Sequence, residues 1–195
     1  AARGAPLQRS DPFTLHSRPG SQRTIYLDFK GFRVAGTIWN DPPNGFGQPE
    51  PLPEAFYGGW SLDGDPNTYS ALEADFIREV FAIVAEDFAP FDVDVTTEDP
   101  GQAAITRSGS GDQAFGTRAL VTSSDVALNA LCGGACSGVA ILDAFDAPGE
   151  HAALQPAFIF SQTQSSQTPR PIAETISHEV GHNFGLGHDG KGAEP

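Results

Sequence analysis

Apolar and polar positions follow two periods along the chain, and each period marks a kind of element. Arg23–Phe29 (Arg-Thr-Ile-Tyr-Leu-Asp-Phe) is β-branched and aromatic and predicts a strand. Lys30-Gly31 offers a tight turn into a second strand, Phe32–Trp39, making a hairpin. Asn40–Asn67, rich in Pro, Gly and Asp, reads as a long surface excursion. The period then changes: Leu72, Phe76, Ile77, Val80, Phe81, Val84 and Phe88 recur at three- and four-residue steps, the apolar stripe of a helix. Ser70-Ala-Leu-Glu73 has the form of a capping box at its start, and Pro90 stops it. Alternation returns in Phe91–Thr97, where Asp92, Asp94, Glu98 and Asp99 read as the wet face of a strand. Arg118–Ser123, Ser137–Phe145 and Pro156–Ser161 each carry a short apolar run and predict three more strands. A second helix follows Pro169 and Pro171, residues tolerated in a first helical turn. Ala1–Gly20 has no periodicity and reads as a flexible leader or linker. The order is hairpin, helix, four strands, helix, a mixed α/β layer architecture.

Composition narrows the class. With 195 residues, 39% hydrophobic and 18% charged, the chain can bury one domain's core and is not a disordered sequence. No apolar run approaches the ~20 residues of a membrane span. A net charge of −14 repels phosphate backbones, so nucleic acid is not an expected partner. Methionine is absent, at position 1 too, so the chain is expected to start after a processing boundary with any signal peptide removed. Cys132 and Cys136 lie in Leu-Cys-Gly-Gly-Ala-Cys-Ser-Gly. A local disulfide closing this Gly-rich loop, which implies an oxidising compartment, competes with free thiols or half a metal site.

The candidate chemistry lies on the second helix, in His178-Glu179-Val180-Gly181-His182-Asn183-Phe184-Gly185-Leu186-Gly187-His188-Asp189. His178 and His182 are one turn apart and share a face, so both imidazoles can bind one ion. Glu179 is rotated by about 100° from His178, too far round to be the natural third ligand yet within reach of a metal-bound water. Gly185 supplies the positive φ that ends the helix and lets His188 return as third nitrogen ligand. Three ligands leave a fourth zinc position open, the mark of a catalytic site. Ile172, Ile176, Val180 and Phe184 form an apolar stripe well rotated from the histidines, so one side of the helix can be buried while the other faces a cleft. At this composition the five fixed positions coincide by chance on the order of twice in 10⁵ sequences of this length, so a chance cluster is set aside.

His178 to Asp189 resembles the metzincin clan of zinc endopeptidases, and Gly181, Asn183, Gly185 and the His188-Asp189 ending resemble its adamalysin/reprolysin type. Arg23–Asp189 is also similar to secreted bacterial reprolysin-like metallopeptidases, in pieces such as Thr24-Ile-Tyr-Leu-Asp-Phe and Ala85-Glu-Asp-Phe-Ala-Pro-Phe-Asp-Val-Asp-Val-Thr-Thr-Glu-Asp. The resemblance implies a metzincin-like N-terminal subdomain: a twisted, mostly parallel five-stranded sheet with one antiparallel edge strand, and two long helices, the second carrying the zinc motif. It implies one catalytic Zn²⁺ on His178, His182 and His188, Glu179 as general base, and protein or peptide substrates outside the cell. Gly138, Val139, Ala140 and Ile141 would belong to the edge strand on which a substrate lies extended, with Gly185, Asp189, Cys132 and Cys136 structural. A monomer is expected. Metzincins continue into a C-terminal subdomain with a methionine turn; with no Met and only seven residues after His188, residues 21–195 are expected to be a catalytic domain truncated before it. The competing readings are a non-catalytic zinc-binding relative that binds a protein partner, which the presence of Glu179 argues against, and a gluzincin-type enzyme, for which only Glu194 lies downstream.

Other signals are weaker. Asp63-Gly-Asp65-Pro-Asn67 starts like a calcium loop but has Thr68 and Ala74 where Gly and Glu are needed, so a solvated turn is favoured and calcium is unsupported. His16 and His151 have no partners at ligand spacing and read as surface residues. Glu174, one turn before His178, reads as an exposed helical Glu over a hydrogen-bond acceptor behind a ligand.

Overall fold

The computed structural model describes residues 10–41, 50–164 and 168–188. Residues 1–9 of the expected leader, part of the Asn40–Asn67 excursion, Asp189 and Glu194 lie outside the described residues.

Among the described residues seven strands and three α-helices follow in order: β1 (Arg23–Asp28), β2 (Gly31–Val34), β3 (Ala55–Gly58), α1 (Ala71–Asp87), β4 (Asp94–Thr96), β5 (Phe115–Thr122), α2 (Asp125–Cys132), β6 (Gly138–Val139), β7 (Ala157–Phe160) and α3 (Pro169–Asn183). The main sheet has five strands in the order β4-β1-β5-β7-β6. β4, β1, β5 and β7 run parallel, and β6 pairs antiparallel to β7 at the edge. This is the mostly parallel sheet with an antiparallel edge expected above.

All eight residues of β5 are buried because both faces of the sheet are covered. On one face Ile25, Leu27, Val95, Ala119, Val121 and Ile159 meet Phe76, Ile77, Val80 and Val84 of α1 and Ile172, Ile176 and Val180 of α3. On the other, Leu120, Phe158 and Phe160 meet Val34, Trp39, Leu52, Tyr57 and the α2 residues Ala127, Leu128 and Leu131. The α1 capping box is made: Ser70 N donates to Glu73 Oε2 at 2.7 Å, and Glu73 N to Ser70 Oγ at 3.3 Å. Leu72, counted on the apolar stripe, lies outside it and is 69% exposed.

Several expectations are corrected. β1 and β2 form no hairpin. Asp28 Oδ1 accepts from Lys30 N and Gly31 N, turning the chain out of the sheet plane, and β2 pairs instead with β3. Asn40–Asn67 is no plain excursion, since it holds β3 and buries Leu52, Tyr57 and Trp60. Of the strand expected over Ser137–Phe145, only Gly138–Val139 is strand. α2, eight residues capped by Ser124, is an element the sequence reading does not include, and it packs on the opposite face of the sheet from α1 and α3.

Asp94 is no wet residue: it is buried, and its Oδ1 accepts from Ser17 N and Arg18 N at 3.0 and 2.9 Å. His16 has partners after all, with Nδ1 donating to Asp94 Oδ2 at 2.6 Å and Nε2 to Glu98 Oε2 at 3.0 Å. Residues 14–18 thus lie along the free edge of β4, tied also by Thr97 N to Leu15 O and Ser17 N to Val95 O. His151 is 1% exposed and not a surface residue.

Candidate metal centre

α3 carries the site because its two faces differ. Ile172, Ile176 and Val180 anchor it in the core, which leaves His178 and His182 one turn apart towards an open concavity. The helix ends at Asn183, and Gly185, with φ +85°, reverses the chain as expected. Leu186 N donates to Gly181 O at 3.0 Å and Gly185 N to His182 O at 2.9 Å, so the returning segment is bonded to the last helical turn. His188 comes back over it. His178 Nε2 lies 3.0 Å from His188 Nε2 and 3.0 Å from His182 Nε2, and the ring centroids are 4.5–5.0 Å apart. Ser177, Gly181, Gly185, Leu186 and Gly187 complete the walls of a concavity of about 360 Å³.

The donor set fits a cation. His182 Nδ1 lies 2.6 Å from Leu186 O, a contact that requires the proton on Nδ1. With Nδ1 so engaged, Nε2 is the His182 nitrogen left to face the other two imidazoles. Three nitrogens facing one another cannot each supply a proton to the others without charging the group, whereas a single cation satisfies all three. Nitrogens held tetrahedrally around zinc at ~2.0–2.1 Å are separated by about 3.3 Å, close to the spacing here. Burial first, then the nearness of His182 and His188, push the His178 pKa down, favouring the neutral ligand form.

Glu179 lies on the helix beside these ligands but is 4% exposed, packed beneath β6. Burial pushes its carboxyl up to about 7; a cation on the neighbouring histidines opposes that shift. Glu174, exposed, pairs with Arg170 at 3.2 Å, one turn earlier on the same helix.

The edge strand is reached through the cysteines, which form a disulfide linking the end of α2 to a residue two before β6. Among the described residues no strand pairs with the outer side of β6. Past Val139 the chain leaves the strand; Ile141 is buried and its carbonyl accepts from Asn183 Nδ2 at 2.9 Å.

Asn183 is a residue whose role the motif alone does not reveal. Besides Ile141 O, it holds Thr117 Oγ1 of β5, which donates to its Oδ1 at 2.7 Å. Asp143 N and Phe145 N donate to the carbonyls of His182 and Asn183, both at 2.9 Å, so the loop after β6 closes the helix end. Phe184 stacks on Phe145 with centroids 4.1 Å apart. The sequence names Asn183 only within the resemblance to the reprolysin type, which says nothing of these contacts.

The end of α3 thus gathers three histidines that could hold one cation. The family model described as Metallo-peptidase family M12B Reprolysin-like matches residues 93–189, from just before β4 through the third histidine. Over this span, just under half of its length, the chain is similar to that family of metallopeptidases. No curated protein and no solved structure matches the chain. No helix among the described residues is long and apolar enough to cross a membrane.

Proposed function

We propose that the protein is a zinc-dependent endopeptidase acting on protein substrates outside the cell, with His178, His182 and His188 as zinc ligands and Glu179 as general base. The observation that carries this reading is the convergence of the three Nε2 atoms, with the His182 tautomer set by Leu186 O. A bound zinc ion supplies Lewis-acid chemistry, polarising the scissile carbonyl and lowering the pKa of its water towards ~7. The chain's own residues do the rest. Gly138 and Val139 offer backbone groups at an open sheet edge, with Ala140 just beyond it, where an extended peptide can add as a further strand. Ile141 takes no part in that pairing through its carbonyl, which Asn183 occupies. Glu179 removes the proton of the attacking water and passes it to the departing amine nitrogen, which needs a carboxylate beside the ligand face and not on it. The disulfide between Cys132 and Cys136 agrees with an oxidising, extracellular compartment.

Two variants test the reading. Glu179→Gln should keep stoichiometric zinc while casein or quenched-peptide hydrolysis falls by about 10²–10⁴-fold or more. His188→Ala should lose most of its zinc by metal analysis, and a chelator should abolish wild-type cleavage. Near-wild-type hydrolysis by zinc-loaded Glu179→Gln would remove Glu179 as the base. Full zinc in His188→Ala would remove the third ligand. A wild type that binds zinc and cleaves no peptide would favour a zinc-binding module over an enzyme.

A further inference from the structure

β6 rests on α3 at the position of Glu179. A Cβ added to Gly138 would lie 2.6 Å from Glu179 Cγ, 2.7 Å from Oε1 and 2.8 Å from Cδ. Optimal carbon contacts are ~3.5–4.0 Å, so a side chain at 138 and Glu179 in its present position exclude each other. Nothing in the backbone calls for glycine here, since Gly138 is a strand residue and is not among the glycines with positive φ. The requirement comes from the neighbour alone.

Of the two parties, Glu179 is the one free to move. β6 is held from its far side by β7, where Gly138 and Val139 stand opposite Ile159 and Phe158 and Phe160 N donates to Ser137 O at 2.8 Å. Retreat of β6 would break that pairing. Glu179 has only to turn about its side-chain torsions, and its Cα is fixed in a helix whose other face is core.

We propose that Gly138 is a positioning residue: its bare Cα forms the wall that holds the Glu179 carboxylate beside the histidine ligands. The proposal rests on the reading of Glu179 as general base. It differs from a role in substrate pairing, which uses the backbone of residue 138 and would tolerate a methyl group on it.

The experiment compares zinc-loaded wild type, Gly138→Ala, Glu179→Ala and the double variant. Gly138→Ala should keep its zinc, since the three atoms nearest the added methyl all belong to Glu179 and none to a histidine, and its kcat should drop about 10²-fold, the cost typical of a displacement of about 1 Å. KM should change far less. Crystal structures of the two zinc-loaded proteins should show the Glu179 carboxylate displaced in the variant and β6 in place. In thermal unfolding the double variant should match Glu179→Ala, because the methyl then meets no carboxylate, and this holds even if Gly138→Ala alone proves too unstable to study. An unchanged kcat, a loss confined to KM, a shifted β6 over an unmoved Glu179, or a double variant destabilised well below Glu179→Ala would each overturn the proposal. Should the wild type cleave nothing, the endopeptidase reading falls, while the displaced or unmoved carboxylate still decides whether Gly138 positions Glu179.

Discussion

His151 occupies the core with its ring bonded on both sides. Nε2 donates to Phe145 O at 3.0 Å, and Nδ1 accepts from Arg107 N at 3.1 Å and Gln155 Nε2 at 3.2 Å. A second proton on Nδ1 would point at those two donors, so only the neutral ring fits. Burial, and after it the charge of Arg107, outweigh the opposing pull of Phe145 O, Asp146 and Asp112, and the pKa falls below its usual 6.5. The unfolded chain then binds the proton more readily than the folded one. The contribution of His151 is complete above about pH 6.5 and is lost as pH falls from there through the depressed folded value. His151→Gln keeps a donor and an acceptor without titrating. Urea unfolding between pH 7.5 and 5 should therefore show a shallower acid loss than wild type, by up to about 1.4 kcal/mol per pH unit for the one proton removed. Equal slopes would mean that His151 is not the titrating group. Nothing near His151 in the sequence marks it as buried, because its partners come from positions 107, 145 and 155 brought together only by the fold. His178 and His182 were legible for the opposite reason: one helical turn sets their relation before any tertiary contact exists.

At the scale of the element the same division recurs at the start of α1. The Ser70–Glu73 box could be read from four consecutive residues. Its further use could not: the Glu73 carboxylate, fully buried, also accepts from Leu62 N at 2.8 Å and Ser61 Oγ at 3.1 Å, pinning the β3–α1 connection to the helix. Burial opposes its charge, yet the hydrogen bonds from Ser70, Leu62 and Ser61 win and hold the carboxyl below its usual range. Ser70→Ala removes a cap and should cost about 1 kcal/mol. Glu73→Ala leaves the donors of three residues unmatched and should cost more, about 2–3 kcal/mol. Denaturant unfolding of the two variants checks the order; equal losses would reduce Glu73 to an ordinary capping residue. The β2–β3 pair shows what local patterns miss. Phe32 and Arg33 alternate as a strand should, but which partner they take depends on Asp28 turning the chain at Gly31 and on Ala55–Gly58, whose Pro- and Gly-rich flanks read as loop. In the same way, the extended run after Ser137 ends at Val139 because Asn183 claims the carbonyl of Ile141.

For the whole molecule, the sheet has two edges, and they are treated differently. Among the described residues β6 is left open, the edge proposed above to take a substrate strand, while the edge of β4 is covered by residues 14–18. An open parallel edge invites pairing with another chain, and residues 14–18 remove that hazard at β4. Asp94 is the fastening of that cover, with Oδ1 accepting from two backbone amides and Oδ2 facing His16. Both nitrogens of His16 meet carboxylates, so the imidazolium is the form that fits. Burial works against the charge, but the hydrogen bonds and charges of Glu98 and Asp94 outweigh it and raise the His16 pKa above 6.5. This contribution is full below about pH 6.5 and fades as pH rises through the raised value, the reverse of His151. Asp94→Asn keeps the shape and one acceptor but sets an amide donor against His16 and removes the charge. The segment should then detach while α3 and its histidines stay as they are. Hydrogen exchange at the amides of Leu15, Ser17 and Arg18 should accelerate by about tenfold or more, as expected for the loss of roughly 1.5–3 kcal/mol of charge-assisted hydrogen bonding. Zinc content and peptide cleavage should hold at wild-type levels in dilute solution, and light scattering at high concentration should report new self-association through the uncovered edge. Unaltered exchange would show that the backbone pairing of Leu15 and Ser17 with Thr97 and Val95 holds the cover without Asp94. A loss of zinc in this variant would show that the two edges are coupled through the sheet.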